Sequence, residues 1–173
     1  MDLISRISRQ LETVRGVTET FLADFKTPEQ WALQVHDQAN HALWLAGHLG
    51  TVDNFMISLL APEKAAANPE YQAKFGMGSR PSSSPSDYPE VGDVLDFMRK
   101  RRTVVLEILA GMSEADMVEP PPKGTPDIMP DVGSIFETLV WHEALHAGQI
   151  TVARRALGHA PLVDAPPKSE GDD

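Results

Sequence analysis

Two histidines one helical turn apart are the strongest chemical signal in the sequence. His142 and His146 stand four residues apart in a segment with helical periodicity, so one divalent ion can reach both imidazoles. His48 lies on the apolar stripe of another predicted helix and is a third histidine expected to face the core. A buried imidazole is costly unless its nitrogens are satisfied. We therefore predict a three-histidine metal site; the alternative is a set of core histidines that hydrogen bond to the backbone.

Three imidazoles would give such a site a definite chemistry. Neutral ligands leave a divalent ion its full charge, and three of them leave positions open for water or a substrate. The ion can then lower the pKa of a bound water or thiol, or polarise a carbonyl group. The chain has no cysteine, so only histidine and oxygen ligands are available. Imidazole suits zinc, nickel, iron and copper, and the residues alone do not select among them.

Residues 142–146 also match the HExxH pattern of zinc proteases, in which the glutamate is the general base. The longer form of that pattern requires a third histidine at the position that Val152 occupies. After Gly158 the chain offers Glu170 as its sole glutamate. An HExxH-type zinc hydrolase is therefore a minor alternative, and we predict that Glu143 is a solvated or supporting carboxylate.

Other side chains near these histidines are candidates for supporting roles. Gln149 could hydrogen bond a metal-bound group or serve in helix packing, and Thr138 could orient His142. His41 lies two turns before His48, and we predict a pocket-lining or satisfied core role for it.

Four further predictions concern residues away from the ligands themselves. His36 and His159 are expected at the surface, and Trp44 and Trp141 are expected to be core or pocket-wall residues. Arg101 or Arg102 is expected to extend its charged end into water at the bundle edge; the alternatives are a pair with a core carboxylate and the binding of an anionic substrate.

The elements that must position the site are helices. Four stretches carry apolar residues at spacings of three or four, which indicates amphipathic helices: 3–25, 37–60, 90–110 and 131–157. In the first of them the stripe is Ile4, Ile7, Leu11, Val14, Val17, Phe21 and Phe25. A capping box at Thr27 predicts a short helix through Trp31, and residues 113–118 predict one further turn. Residues 65–89 show no clear period, and a proline-rich connection spans 120–130.

This pattern predicts an all-α protein built as a four-helix bundle, since no stretch shows strand periodicity. The bundle domain is expected to span residues 1–160, and residues 161–173, rich in proline, acid and glycine, are expected to be a disordered tail.

Charge and composition exclude several classes of partner. The 15 basic and 25 acidic residues give a net charge of −10, which argues against nucleic acid and against a basic membrane-surface helix. The charged N-terminal residues do not resemble a signal peptide, and no apolar run is long enough for a membrane span. We expect a cytoplasmic protein that acts on a small molecule, and a homodimer is plausible.

Two segments resemble those of the DinB/YfiT-like superfamily: residues 44–49 (WLAGHL) and residues 142–150 (HEALHAGQI). The resemblance implies an up-down-down-up four-helix bundle in which His48, His142 and His146 bind a divalent metal ion. Zinc or nickel is the first expectation, with iron or manganese as alternatives. Relatives include thiol-dependent S-transferases and a thiol-dependent isomerase, and the resemblance does not identify which residue, if any, is a catalytic base. This chain differs in its long proline-rich connections, so substrate access could differ.

The residues and the resemblance together favour a metal-dependent enzyme that acts on a small molecule, either a thiol-dependent S-transferase or a hydrolase. The thiol chemistry that the resemblance implies needs a low-molecular-weight thiol as cosubstrate, because the chain has no cysteine. The alternative is a non-catalytic bundle that binds metal structurally or binds a partner.

Overall fold

The computed structural model describes residues 2–161, and this part of the chain is helical with no strand. Of the predicted tail at 161–173, all but the first residue lie outside the described residues. Four long helices are α1 (Leu3–Leu22), α3 (Ala42–Leu60), α5 (Val91–Ala110) and α7 (Val132–Ala156). Three short helices are α2 (Pro28–Trp31), α4 (Pro69–Phe75) and α6 (Glu114–Met117). Single 3₁₀ turns lie at Pro62–Lys64 and Pro85–Asp87.

Local capping accounts for several helix boundaries. Thr27 accepts from the backbone N–H of Gln30, whose side chain returns the bond, so the predicted capping box of α2 is confirmed. Asp131 caps α7 in the same way through Ser134. Gly158 follows α7 with a φ of +90°, a conformation that glycine adopts without a side-chain clash, and the helix ends within one residue of the predicted position 157.

The beginning of α3 differs from the prediction. The helix begins at Ala42 rather than at residue 37, and His41 is its N-cap. The Nδ1 atom of His41 accepts from the backbone N–H of Trp44 at 3.1 Å. Its Nε2 atom lies 3.0 Å from the Ser82 carbonyl oxygen, to which it donates. His41 is thus a core residue whose two ring nitrogens are both hydrogen bonded, as predicted. These bonds require the neutral tautomer with its proton on Nε2, and the residue caps α3 rather than lying within it.

This dual bonding predicts an acid-sensitive contribution to stability. Burial lowers the pKa of His41 to about 4 from 6.5. Below pH 6.5 His41 is protonated in the unfolded chain but stays neutral in the folded chain. The contribution of His41 to the free energy of unfolding is therefore complete above pH 6.5 and is lost as the pH falls toward 4. The expected loss is up to about 3 kcal/mol. Urea unfolding of metal-free protein at pH 4 to 7 should show a shallower loss for His41→Asn, which retains a good cap. Parallel curves for the two proteins would contradict this role.

Residues 65–89 contain more structure than the sequence predicts. Asn68 accepts from the backbone N–H of Tyr71 and starts α4, whose final residue, Phe75, is completely buried. Seven residues offer too few turns for a periodic signal to stand out, which explains why the pattern missed this helix.

The long helices pack as two main pairs, α1 with α7 and α3 with α5. One core cluster joins the end of α1, the starts of α3 and α5 and the end of α7, through residues such as Leu22, Leu45, Val94 and Ile150. A second cluster joins the opposite ends of these helices.

The buried face of α1 is rotated relative to the predicted stripe. Ile7 and Leu11 are buried as expected, but Val17 is 41% exposed. Arg15 and Thr18 take the inward positions instead. The predicted stripe contains apolar residues alone, so it does not include Arg15, whose guanidinium group pairs with Asp53 and Glu143 in the interior.

No helix in residues 2–161 combines the length and the apolar character that a membrane crossing requires.

Candidate metal centre

His48 is held by a close contact between α3 and the end of α4. A Cβ atom on Gly47 would lie 2.4 Å from the ring of Phe75, so glycine is what allows this approach. The backbone carbonyl of Phe75 then lies 2.7 Å from the Nδ1 atom of His48, which donates to it. With the proton on Nδ1, the Nε2 atom of His48 carries a free lone pair.

His142 and His146 lie one turn apart on α7, as their spacing predicts. The Nδ1 atom of His146 donates to the side-chain oxygen of Gln149 at 3.0 Å, which leaves Nε2 of His146 as an acceptor. That atom lies 3.1 Å from the Nε2 atom of His142.

The three predicted residues come together in space. One nitrogen from each of His48, His142 and His146 lies within 4.8 Å of the other two. The ring centroid of His48 is 5.3 Å from that of His142 and 5.0 Å from that of His146. Residues nearly a hundred positions apart in the sequence thus form one cluster between α3 and α7.

All three imidazoles are held in the neutral form. Burial lowers the pKa of His48 and of His146, and it lowers the pKa of His142 to about 3, with the neighbouring histidines adding to the effect. Neutral imidazole is the form that binds a metal ion. Three clustered imidazole nitrogens, with the Nδ1 protons of His48 and His146 engaged by Phe75 and Gln149, fit a borderline divalent ion such as zinc or nickel.

Trp44 forms a wall of the cluster. Its ring stacks on His48 with centroids 4.6 Å apart and planes 12° apart. Its Nε1 atom donates to the hydroxyl of Ser79 at 3.0 Å, which ties the 76–89 loop to the site. Trp141 is half exposed and approaches His142 edge-on, with centroids 6.2 Å apart. Of the two roles predicted for the tryptophans, the core role is confirmed for Trp44, whereas Trp141 is mainly a surface residue.

Gln149 orients His146 through its side-chain oxygen, which favours a role in the metal site over a role in helix packing alone. The same oxygen also accepts from the side-chain amide of Asn40 at 3.3 Å. Among the described residues, Thr138 makes no hydrogen bond to His142, so its proposed orienting role has no support. His36 is exposed, as predicted, and His159 is half-buried.

Replacing Gln149 by Ala is expected to weaken metal binding about 10- to 100-fold, the range seen when an outer partner of a ligand is lost. The His146 ring would then be free to rotate and to exchange its protonated nitrogen. Gln149→Glu retains the acceptor and should remain within a few-fold of the wild-type affinity, measured by competition with a chromophoric chelator. Equal affinities for wild type and Gln149→Ala would remove Gln149 from the site.

Of the two roles predicted for Glu143, a solvated or a supporting carboxylate, the solvated one is wrong. Its side chain is completely buried, and its two oxygens pair with Arg15 at 2.7 Å and with Arg102 at 2.7 Å. Arg102 is 3% exposed, so the prediction that its charged end reaches water is also wrong, and the alternative of a core carboxylate partner holds. Asp53 completes this group and contacts both arginines.

Sequence reasoning missed Arg15 and Asp53. Arg15 lies four residues after Leu11 and Asp53 five after His48, both on helix faces that point inward. A charged residue on an apolar face is the signal that could have found them, provided that a partner of opposite charge was sought on another helix.

The family model of the DinB superfamily matches residues 10–150, and the chain belongs to that superfamily. The matched range includes α3 and most of α7, hence all three histidines. No curated protein matches the chain.

Proposed function

We propose that the protein is a divalent-metal-dependent enzyme in which His48, His142 and His146 bind the ion. The reaction we propose is thiol transfer to a small molecule, or hydrolysis of one. The observation that carries the proposal is the convergence of three neutral imidazoles, two of which, His48 and His146, have their Nδ1 atoms fixed by hydrogen bonds.

The ion supplies Lewis acidity, which lowers the pKa of a bound thiol or water and polarises a carbonyl group. Zinc or nickel is the first choice for such ligands, with iron or manganese as alternatives. The protein's own residues supply orientation: Phe75 and Gln149 hold two of the rings, and Trp44 excludes water from one face of His48.

The reacting thiol must come from a low-molecular-weight cosubstrate, because the chain has no cysteine. A cavity of about 300 Å³ lies beside Gln149 and supports a small-molecule substrate. Its lining is Val35, His36, Gln38, Ala39, Asn40, Gln149 and Val152. Neither this cavity nor a larger groove of about 580 Å³ between α1 and α7 is lined by any of the three histidines. Of the two, the smaller one includes Gln149, which hydrogen bonds His146, and this contact is what favours it as the substrate space.

The HExxH-type hydrolase is not part of the proposal. A general base needs a carboxylate oxygen that can accept a proton from a metal-bound water. Both oxygens of Glu143 are engaged by the buried guanidinium groups of Arg15 and Arg102, so neither is free to accept that proton.

We also propose that the long helices follow the up-down-down-up order of the family. The composition of the two core clusters supports it, since one end of the molecule combines the end of α1 with the starts of α3 and α5 and the end of α7. A cytoplasmic location and the absence of a nucleic-acid partner complete the proposal, in keeping with the net charge of −10.

The test is a thiol-consumption assay. Metal-loaded protein is incubated with a panel of small biological thiols and electrophilic or ester substrates, and free thiol and substrate are followed. We expect turnover with at least one pair and its loss in His142→Ala. Activity that persists at the wild-type rate in His142→Ala would contradict the proposal, and so would a metal ion whose coordination positions are all filled by the protein.

A further inference from the structure

One charged side chain from each of the four long helices meets in the interior of the described fold. Arg15 comes from α1, Asp53 from α3, Arg102 from α5 and Glu143 from α7. None of the four is more than 6% exposed, and the two positive charges balance the two negative charges.

Each guanidinium bridges both carboxylates. Arg102 forms a two-bond fork with Asp53, with both distances 2.9 Å, and its Nη2 atom lies 2.7 Å from Glu143. Arg15 lies 2.7 Å from Glu143 through Nε and 3.2 Å from Asp53 through Nη2. Remaining donors reach backbone carbonyls, from Arg15 to Met98 at 2.8 Å and from Arg102 to Leu11 at 3.4 Å.

The two carboxylates lie on the two helices that carry the histidines. Asp53 follows His48 on α3, and Glu143 lies between His142 and His146 on α7. Without the arginines these carboxylates would repel each other across the interior. The planar fork of a guanidinium tolerates little displacement, so a slip of α3 along α7 would break several bonds at once.

Stability alone does not account for such a group. Apolar side chains of similar volume often replace buried ion networks with equal or greater stability, so a network of this kind fits a role in specifying one arrangement.

We propose that Arg15 and Arg102 are positioning residues for the metal centre. By joining Asp53 to Glu143 they fix the spacing of α3 and α7, and thereby the distance from His48 to the His142–His146 pair. This inference rests on the proposed function, because the spacing serves the ion that the three histidines bind.

The direct test is a fourfold variant that replaces the whole group with apolar residues: Arg15→Met, Asp53→Leu, Arg102→Met and Glu143→Leu. The net charge of the group stays at zero, so a change in metal affinity reports position rather than charge. Affinity for Zn²⁺ and Co²⁺ is measured by chelator competition, beside the thermal midpoint. We expect a midpoint at or above that of the wild type and a metal affinity weakened about 10- to 100-fold.

The matched control removes another arginine–carboxylate pair between α5 and α1. Arg99 and Glu19 are 3.3 Å apart at the surface, with side chains 49% and 34% exposed. The variant Arg99→Met with Glu19→Leu should retain metal affinity within about twofold, since an exposed pair contributes little.

A second measurement does not depend on metal. Since the chain has no cysteine, Ser58→Cys on α3 and Glu137→Cys on α7 give two unique, exposed sites for nitroxide labels. Pulsed electron–electron double resonance measures the distance between the two labels in the metal-free protein. We expect a narrow distance distribution in the labelled protein that retains the four charged residues, and a shifted or broader one in the labelled fourfold variant.

The outcomes separate the two proposals. A folded fourfold variant with wild-type metal affinity and an unchanged distance distribution would overturn the positioning role. If the wild-type protein binds neither metal, the proposed function fails, and the distance distribution alone decides the positioning role. If the fourfold variant does not fold, Arg102→Lys is used, which retains the charge but not the fork. Lower metal affinity supports the role, and unchanged affinity overturns it.

Discussion

Replacing Arg102 alone by Met is expected to lower the free energy of unfolding by about 3–5 kcal/mol. The substitution leaves Arg15 to face two buried carboxylates, Asp53 and Glu143, which are both completely buried. One negative charge is then uncompensated in the interior, where water cannot reach it. In a chain of 173 residues this corresponds to a fall of roughly 6–20 °C in the thermal midpoint.

Urea unfolding and calorimetry of metal-free protein measure this effect, with Arg99→Met as the control. Arg99 pairs at the surface, so its loss should cost no more than about 1 kcal/mol. Equal losses for Arg102→Met and Arg99→Met would show that the interior group does not behave as a buried ion network. The contrast with the fourfold apolar variant, which is expected to be stable, depends on the same physics: breaking the network is costly, whereas replacing it entirely is not.

Replacing His146 by Ala is expected to weaken divalent metal binding by more than about 100-fold, beyond the effect of losing an outer partner such as Gln149. His146 supplies one of three lone pairs and also contacts His142 at 3.1 Å. Only two imidazoles then remain to bind the ion, His48 on α3 and His142 on α7. Titration of the metal-free variant with Zn²⁺ or Co²⁺ in the presence of a competing chelator gives the affinity.

His36→Ala is the matched control for this variant, because His36 is an exposed histidine outside the three-histidine cluster. It should bind metal with wild-type affinity. Equal weakening in both variants would indicate dispersed surface binding rather than one defined centre.

The sequence predicts α7 and its part of the site well because everything needed is local. The spacing of His142 and His146 within one helix fixes their relation, and Asp131 and Gly158 mark the helix ends through capping chemistry. His48 could be selected as well, because an isolated histidine on an apolar stripe requires a partner.

The interior ion network could not be predicted from the same periodicity. Arg15 and Glu143 are 128 residues apart, and pairing them requires knowledge of which helices are neighbours and in what register. A stripe drawn through apolar residues alone also placed Val17 inward, whereas Arg15 occupies the interior. The periodicity predicts a helix that already includes His41, because the capping role of His41 depends on a loop partner, Ser82, that is distant in sequence.

If His48, His142 and His146 bind one divalent ion, the purified protein should contain that ion. The measurement is the metal content of protein purified without a histidine tag. We predict close to one divalent ion per chain in the wild type and almost none in His48→Ala or His146→Ala purified in the same way. A wild-type protein without metal, or equal metal content in the wild type and both variants, would contradict the account.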